Sequence, residues 1–152
     1  REALRAAGSI VIRTSWLYAP WGKNFMLTIL RLSEGNEELR VVNDQHGTPT
    51  SALALAETIV NIIDNGSMDS MSGIYHYTDG GTTTWYDFAR EIVASVGIEG
   101  CHVVACSTGE RKTKARRPAY SVLDTRRIAH IDGVRILPWR ERLSEVMNLI
   151  KE

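Results

Sequence analysis

Between Leu39 and Ile63 the chain passes from a strand pattern, through a cluster of turn residues, into a helix pattern, and that order constrains the fold more than any other feature. Residues 39–42 are short and rich in β-branched side chains, as a strand requires. Asn43, Asp44, Gly47 and Pro49 then fall within seven positions, a density of turn formers that ends a regular element. Beyond them Leu53, Leu55, Ala56, Ile59, Val60, Ile62 and Ile63 recur at helical spacing, with Thr50 or Ser51 placed to cap the helix. A strand feeding a polar loop and a helix N-terminus aims unpaired backbone N–H groups at whatever lies in front of them. The same pattern also describes an ordinary structural turn, and spacing alone does not choose between the two.

The remainder alternates in the same manner. Residues 10–12 are apolar throughout, as expected of a strand buried on both faces of a parallel sheet. Residues 24–33 place Phe25, Met26, Ile29, Leu30 and Leu32 on one helix face, and Gly35-Asn36 stops it. Asn65-Gly66 ends the helix that follows residue 51, residues 73–77 form the next strand, and Asp79-Gly80-Gly81 makes a turn. Thr83 or Thr84 caps a helix whose inward residues are Trp85, Phe88, Ala89, Ile92, Val93 and Val96, with Asp87 placed as in a capping box. Residues 103–106 suit a short strand and residues 124–130 a short helix. Pro138 opens the last helix, with Trp139, Leu143, Val146, Met147 and Ile150 on one stripe. No internal repeat or low-complexity segment is present, and strand–helix alternation of this kind predicts an α/β fold.

Composition narrows the function classes. At 152 residues the chain fits a single domain spanning residues 1–152 with a real core. Eighteen Lys and Arg balance 18 Asp and Glu, which argues against a nucleic-acid partner or a polybasic membrane contact. The local exception is residues 111–117, with five basic residues and no acid. Cys101 and Cys106 make neither a disulfide framework nor a zinc site, and the histidines show no ligand spacing, so no metal is expected. Two such thiols fit a reducing, cytoplasmic setting, and no apolar run reaches the ~18 residues of a membrane span. There is no phosphate-binding G-x-x-x-x-G-K-[ST] loop, no G-x-G-x-x-G turn and no G-x-S-x-G elbow. Neither Tyr18 nor Tyr86 is followed four places later by Lys, since Gly22 and Arg90 stand there. His76, between two tyrosines in a strand, reads as a packed group rather than a catalyst. The residues alone therefore describe an α/β domain with a polar, aromatic-rimmed crevice at the C-terminal ends of its strands.

Several stretches, taken in order, resemble one family. Arg13-Thr14-Ser15-Trp16-Leu17-Tyr18 with Gly22-Lys23-Asn24-Phe25-Met26, then Asp44-Gln45-His46-Gly47-Thr48-Pro49-Thr50, are similar to segments of the dTDP-4-dehydrorhamnose reductases, extended short-chain dehydrogenases/reductases. Gly73-Ile74-Tyr75-His76, Trp85-Tyr86-Asp87-Phe88-Ala89, Arg117-Pro118-Ala119-Tyr120-Ser121-Val122-Leu123-Asp124 and Leu137-Pro138-Trp139 extend the likeness across nearly the whole chain. The resemblance implies the C-terminal part of such an enzyme: the last parallel strands of a Rossmann sheet plus a small substrate-binding subdomain. The family's glycine-rich dinucleotide turn and its Tyr-x-x-x-Lys pair have no counterpart here. Residues 1–7 suit the tail of a helix stopped by Gly8, so the expectation is that the N-terminal, dinucleotide-binding half is absent from this chain.

On that resemblance the parent reduces dTDP-4-dehydro-L-rhamnose to dTDP-L-rhamnose with NADPH or NADH, bound mainly by the other half. This part supplies substrate contacts and no catalytic residue. Trp16 would touch the nucleotide-sugar beside Ser15, Asn24 and Phe25 would open a helix facing the diphosphate, and Gln45, Thr48 and Thr50 would reach in from the loop. Gly47 would supply a backbone angle and Pro49 rigidity. Arg117 is the cation suited to the diphosphate, because a guanidinium fork matches phosphate oxygens. Asp87 and Asp124 would order turns. Alternatives are another nucleotide-sugar epimerase or dehydratase, and a non-catalytic relative such as the methionine adenosyltransferase regulatory subunit. A bare apolar strand at residues 10–12 also predicts self-association, most simply as a homodimer.

Overall fold

Local capping chemistry sets where the three long internal helices start. In the computed structural model, which describes Arg5, residues 8–111, Ala115 and residues 117–151, Asn24 Oδ1 accepts the Leu27 N–H at 3.1 Å and opens α1 (Phe25–Ser33). Ser51 rather than Thr50 caps α2 (Ala52–Asp64), its Oγ accepting the Ala54 N–H. Thr84 caps α3 (Trp85–Ser95): its hydroxyl accepts the Asp87 N–H and donates to the Asp87 carboxylate at 2.8 Å. Each cap satisfies a first-turn donor that would otherwise lack a partner. Two further helices follow, α4 (Arg126–Ala129) and α5 (Trp139–Lys151). Asp124 orders the turn before α4, accepting both the Arg126 N–H and its guanidinium, which hold the carboxyl below the usual carboxylate range. The helix expected over residues 1–7 lies, apart from Arg5, outside the described residues.

The strands pair mostly in parallel, as strand–helix alternation requires. β1 (Ile10–Arg13) pairs with β6 (Gly73–His76), with Ile10 opposite Gly73. β3 (Glu38–Val42) pairs with β8 (His102–Cys106), with Leu39 opposite Val103. Four two-residue strands that the sequence pattern does not reveal add to them. β2 (Leu17–Tyr18) runs parallel to β5 (Thr50–Ser51), and β4 (His46–Gly47) runs antiparallel to β7 (Thr83–Thr84). These pieces are too short to carry a period and form only because the loops they interrupt meet.

Two apolar clusters hold these layers. The larger gathers α1, α3, α5 and β3 around Phe88, which is fully buried. Phe88 meets Tyr18 edge-on at 5.4 Å, Phe25 in a stack at 5.8 Å and Trp139 edge-on at 5.6 Å. The smaller joins Ala54, Ile62, Met71, Tyr75, Tyr77 and Ile128.

The structure decides one burial pattern that periodicity left open and corrects one expectation. α2 buries the stripe Ala54, Thr58 and Ile62, whereas Ile59, Val60 and Ile63 face outward at 39%, 52% and 53% exposure. Helical spacing fits either face when both are apolar, so periodicity could not choose the inner one. β1 is half-buried at Ile10, Val11 and Ile12 rather than covered on both faces. Its partner β6 is closed on the far side by Arg127, whose guanidinium donates to the Ser72 and Ile74 carbonyls and lies 4.0 Å over the Tyr75 ring. Among the described residues no strand pairs with the outer edge of β1. Nor is any described helix long and apolar enough to cross a membrane.

Candidate functional site

The loops leaving the C-terminal ends of β1, β3 and β8 converge, which is where open α/β sheets hold ligands. They enclose a cleft of about 330 Å³ lined by Ser15, Trp16, Gln45, Trp85, Arg117, Pro118 and Ser121. Four of the expected site residues, Ser15, Trp16, Gln45 and Arg117, thus come together from three separate stretches of chain. A larger groove of about 460 Å³ beside α3 and β8 lies elsewhere and contains none of them.

Trp16 is the centre of the cleft. It adopts φ +47°, the one non-glycine residue with positive φ among those described. A left-handed backbone costs an L-residue on the order of 1–2 kcal/mol, so surrounding contacts must hold it. The Ser15 hydroxyl donates to the Thr48 carbonyl at 3.1 Å, the Thr50 hydroxyl donates to the Ser15 carbonyl at 2.6 Å, and the Thr50 N–H donates to the Trp16 carbonyl at 3.2 Å. The indole stacks on Trp85 with centroids 3.5 Å apart and planes at 12°. Phe25 tilts against the far side of this pair at 4.5 Å and links it to the Phe88 core.

The edge of the same indole lies against the backbone of Gly47. A Cβ built there would sit 2.4 Å from Trp16 Cε2. The expectation that Gly47 supplies a backbone angle is therefore corrected. Gly47 has no positive φ, and what it provides is space for the ring.

Thr48 and Thr50 are buried and fully engaged within the protein. The Thr48 hydroxyl donates to the Gly81 carbonyl at 2.8 Å. They position Ser15 and Trp16 and do not line the cleft. Asn24 and Phe25 likewise lie outside it. The Asn24 side chain caps α1 and donates to the Ala19 carbonyl at 2.8 Å, and Phe25 packs among aromatic rings.

The Asp44-Gln45-His46 stretch fastens the third wall. Asp44 accepts the Thr108 N–H and hydroxyl at 2.8 and 2.6 Å, and these bonds hold its carboxyl below the ordinary range. The Gln45 amide donates to the Thr108 hydroxyl. His46 takes up the other end of that segment, its N–H donating to Ala119 O and its carbonyl accepting the Ser121 N–H. Arg117 is exposed at the cleft, and no ion pair engages it among the described residues. Lys112, Thr113, Lys114 and Arg116 of the basic run lie outside the described residues.

The aromatic wall, a Gln amide, two hydroxyls and one arginine suit a ligand with a flat or deoxygenated face and an anionic group. Among the described residues no group of His, Cys, Asp and Glu is arranged to hold a metal. Sequence reasoning missed Trp85 as a site residue, because a tryptophan at the start of an amphipathic helix carries the same signal as a core residue. It also did not assign Pro118 and Ser121 to the site, although both lie in the 117–124 stretch that carries the family resemblance.

Residues 2–151 match the family described as the RmlD substrate binding domain. The spore coat polysaccharide biosynthesis protein SpsK of Bacillus subtilis is 41% identical over 144 residues, covering 95% of this chain and 48% of its own. The crystal structure of a dTDP-4-dehydrorhamnose reductase from Clostridium acetobutylicum superposes with a TM-score of 0.85 at 38% identity, over 94% of this chain and 49% of that one. The dTDP-4-dehydrorhamnose reductase of Bacillus anthracis in complex with NADP superposes with a TM-score of 0.76 at 32% identity, over 92% of this chain and 48% of that one. The chain spans about half the length of the curated relatives it matches.

Proposed function

Since this chain belongs to the RmlD substrate-binding-domain family, we propose that it forms the nucleotide-sugar-binding part of a dTDP-4-dehydrorhamnose reductase, acting as one substrate-binding unit. The parent reaction transfers hydride to the 4-keto carbon of dTDP-4-dehydro-L-rhamnose and gives dTDP-L-rhamnose. NADPH or NADH supplies that hydride; NADP is named as bound in the Bacillus anthracis relative. No glycine-rich dinucleotide turn occurs in these residues, so we assign most of the cofactor contact, and the proton transfer, to the other half. Their task is to bind and orient the substrate in a cytoplasmic enzyme.

The observation that carries this reading is the stacked Trp16–Trp85 pair facing Arg117 across one cleft. The half-buried Trp16 ring offers an apolar face to a deoxysugar or a base, and its N–H is a donor. Arg117 reaches for the diphosphate, and Gln45, Ser15 and Ser121 complete the polar lining.

Calorimetric titration with dTDP tests the assignment. Trp16→Ala is expected to weaken binding by on the order of 1–3 kcal/mol, the usual cost of removing an aromatic anchor. Arg117→Lys should also weaken dTDP while sparing thymidine, because a point charge cannot reproduce a bidentate fork. Unchanged dTDP affinity in both variants would remove the cleft from consideration.

The same reading extends to assembly. Among the described residues the outer edge of β1 has no partner strand, while Arg127 occupies two carbonyls on the β6 side, so β1 is the edge open to further pairing. Ile59, Val60 and Ile63 add an exposed apolar ridge on α2. Bare edges and apolar patches of this kind recruit further chains. The chain alone is expected to self-associate as a homodimer, read by sedimentation across a concentration series; a stable monomer at high concentration contradicts it.

A further inference from the structure

Buried polar atoms without partners are rare in folded proteins, and each asks for a reason. Among the described residues they are Thr14 Oγ1, Tyr18 Oη, Asp79 Oδ1 and Arg142 Nε. Thr14 and Tyr18 flank the Trp16 turn in sequence, on its two sides. Tyr18 stands opposite Ser51 in the β2–β5 pair, and Asp79 Oδ2 accepts the Ser51 N–H at 2.9 Å. Asp79 is therefore tied to the segment whose Thr50 holds the Ser15 and Trp16 carbonyls. On its other flank, Gly81 accepts the Thr48 hydroxyl, and the Thr48 carbonyl accepts the Ser15 hydroxyl. Residues 48–51 and 79–81 together grip residues 15 and 16, and the Asp79 carboxylate joins these two segments.

We propose that Asp79 is a positioning residue for the Trp16 platform: its ionised carboxylate holds the turn that keeps Trp16 face to face with Trp85, and its protonation relaxes that turn. The unpaired atoms supply the physical reason. Oδ1 is an acceptor, whereas Arg142 Nε–H and the Tyr18 hydroxyl are buried donors that lack one. Ionisation strengthens the bond that Oδ2 accepts from the Ser51 N–H and adds an attraction to the Arg142 guanidinium, and Tyr18, opposite Ser51, sits two residues from Trp16. A neutral carboxyl draws the Ser51 N–H and the guanidinium weakly. The groups facing Asp79 are Tyr18 of β2, the Ser51 N–H at the start of α2, Tyr77 after β6, and Arg142 and Glu145 of α5, with Glu57 of α2 reaching Arg142 at 3.7 Å. Burial raises the Asp79 carboxyl to about 7, against the opposing pull of the Ser51 N–H and the Arg142 guanidinium. It thus titrates in the range where a working protein meets changes of pH.

The linkage has a definite sign. A carboxyl that binds its proton more tightly in the folded than in the unfolded chain adds stability that is complete at acid pH. That contribution is lost as pH rises through about 7. Ionisation thus tightens the cleft at a cost to global stability, and an Asp79→Asn chain should lose the downward trend of melting temperature between the ordinary carboxylate range and about pH 7.

The stacked indoles provide a readout that needs no ligand. Near-ultraviolet circular dichroism of the whole chain should change across neutrality with a midpoint of about 7. Asp79→Asn should abolish that titration, His46→Gln should leave it in place, and Trp16→Phe should remove the signal itself. Should Asp79→Asn fail to fold, carbon-13 NMR of the aspartate carboxyls in the unmodified chain serves instead, with one carboxyl sharing the dichroism midpoint. A flat signal, a titration that persists in Asp79→Asn, or aspartates that all titrate in the ordinary range would overturn the proposal.

This role rests on the dTDP-sugar reading only for its consequence in binding. Where that reading holds, dTDP affinity rises with pH along the same curve. If dTDP fails to bind at any pH while the tryptophan signal titrates as described, the ligand reading falls and the role of Asp79 stands.

Discussion

Gly47→Ala is expected to unseat Trp16 and disable the cleft. The added Cβ would lie 2.4, 2.5 and 2.8 Å from Cε2, Cζ2 and Nε1 of the indole, closer than real Cβ atoms approach other atoms. The ring cannot slide away, since Trp85 stacks on it at 3.5 Å and three hydrogen bonds fix the turn beneath it. β4 cannot retreat either. Gly47 pairs with Thr83, and His46 is bonded to Ala119 and Ser121. Overpacking of this kind costs roughly 1–3 kcal/mol in stability. Loss of the aromatic wall adds a drop in dTDP affinity of about tenfold or more. Chemical denaturation, near-ultraviolet circular dichroism and dTDP titration read the three consequences. Because Gly47 does not have a positive φ, the backbone conformation suits alanine, and the whole effect is steric. A Gly47→Ala chain with normal dichroism and affinity would show that the ring has room to move.

Phe88→Ala should be the most destabilising single change in the core. Phe88 is fully buried and touches Tyr18, Phe25 and Trp139, so its removal opens a cavity that rigid rings cannot fill. Truncations of this type cost about 3–5 kcal/mol. That is a large share of the ~5–15 kcal/mol that keeps a domain folded. The loss should also reach the cleft. Phe25 rests on Phe88 and tilts against Trp85, so the tryptophan pair loses its backing. The expected result is a strong fall in denaturation midpoint together with a weakened tryptophan dichroism signal. A fall below about 1 kcal/mol would mean that the surrounding rings collapse into the space, contrary to the close packing seen here.

The two variants separate what is local from what is not. The helices were legible because their signals lie within one turn of chain. Asn24, Ser51 and Thr84 bond to an N–H three residues on, and the stripe of α3 repeats every three or four residues. The resemblance to a nucleotide-sugar reductase was also legible, since the family match at residues 2–151 covers the stretches that carry it. Among the site residues, Trp16, Ser15, Gln45 and Arg117 converge on one cleft.

What the sequence by itself determined, then, is the order of the longer strands and of the helices, the helix starts and the α/β class, because capping and periodicity join near neighbours in the chain. The tertiary structure alone decided which apolar face of α2 turns inward, why position 47 is glycine, that Thr48 and Thr50 brace the cleft from behind, and that Trp85 forms part of its wall. Each of those facts is a contact between segments far apart in sequence, such as Ser15 with Thr48 or Asp44 with Thr108. Such a contact has no period and no fixed spacing. It exists because packing the parallel strands and their helices brings the loops at the strand ends into one place, where a backbone without a Cβ admits an indole.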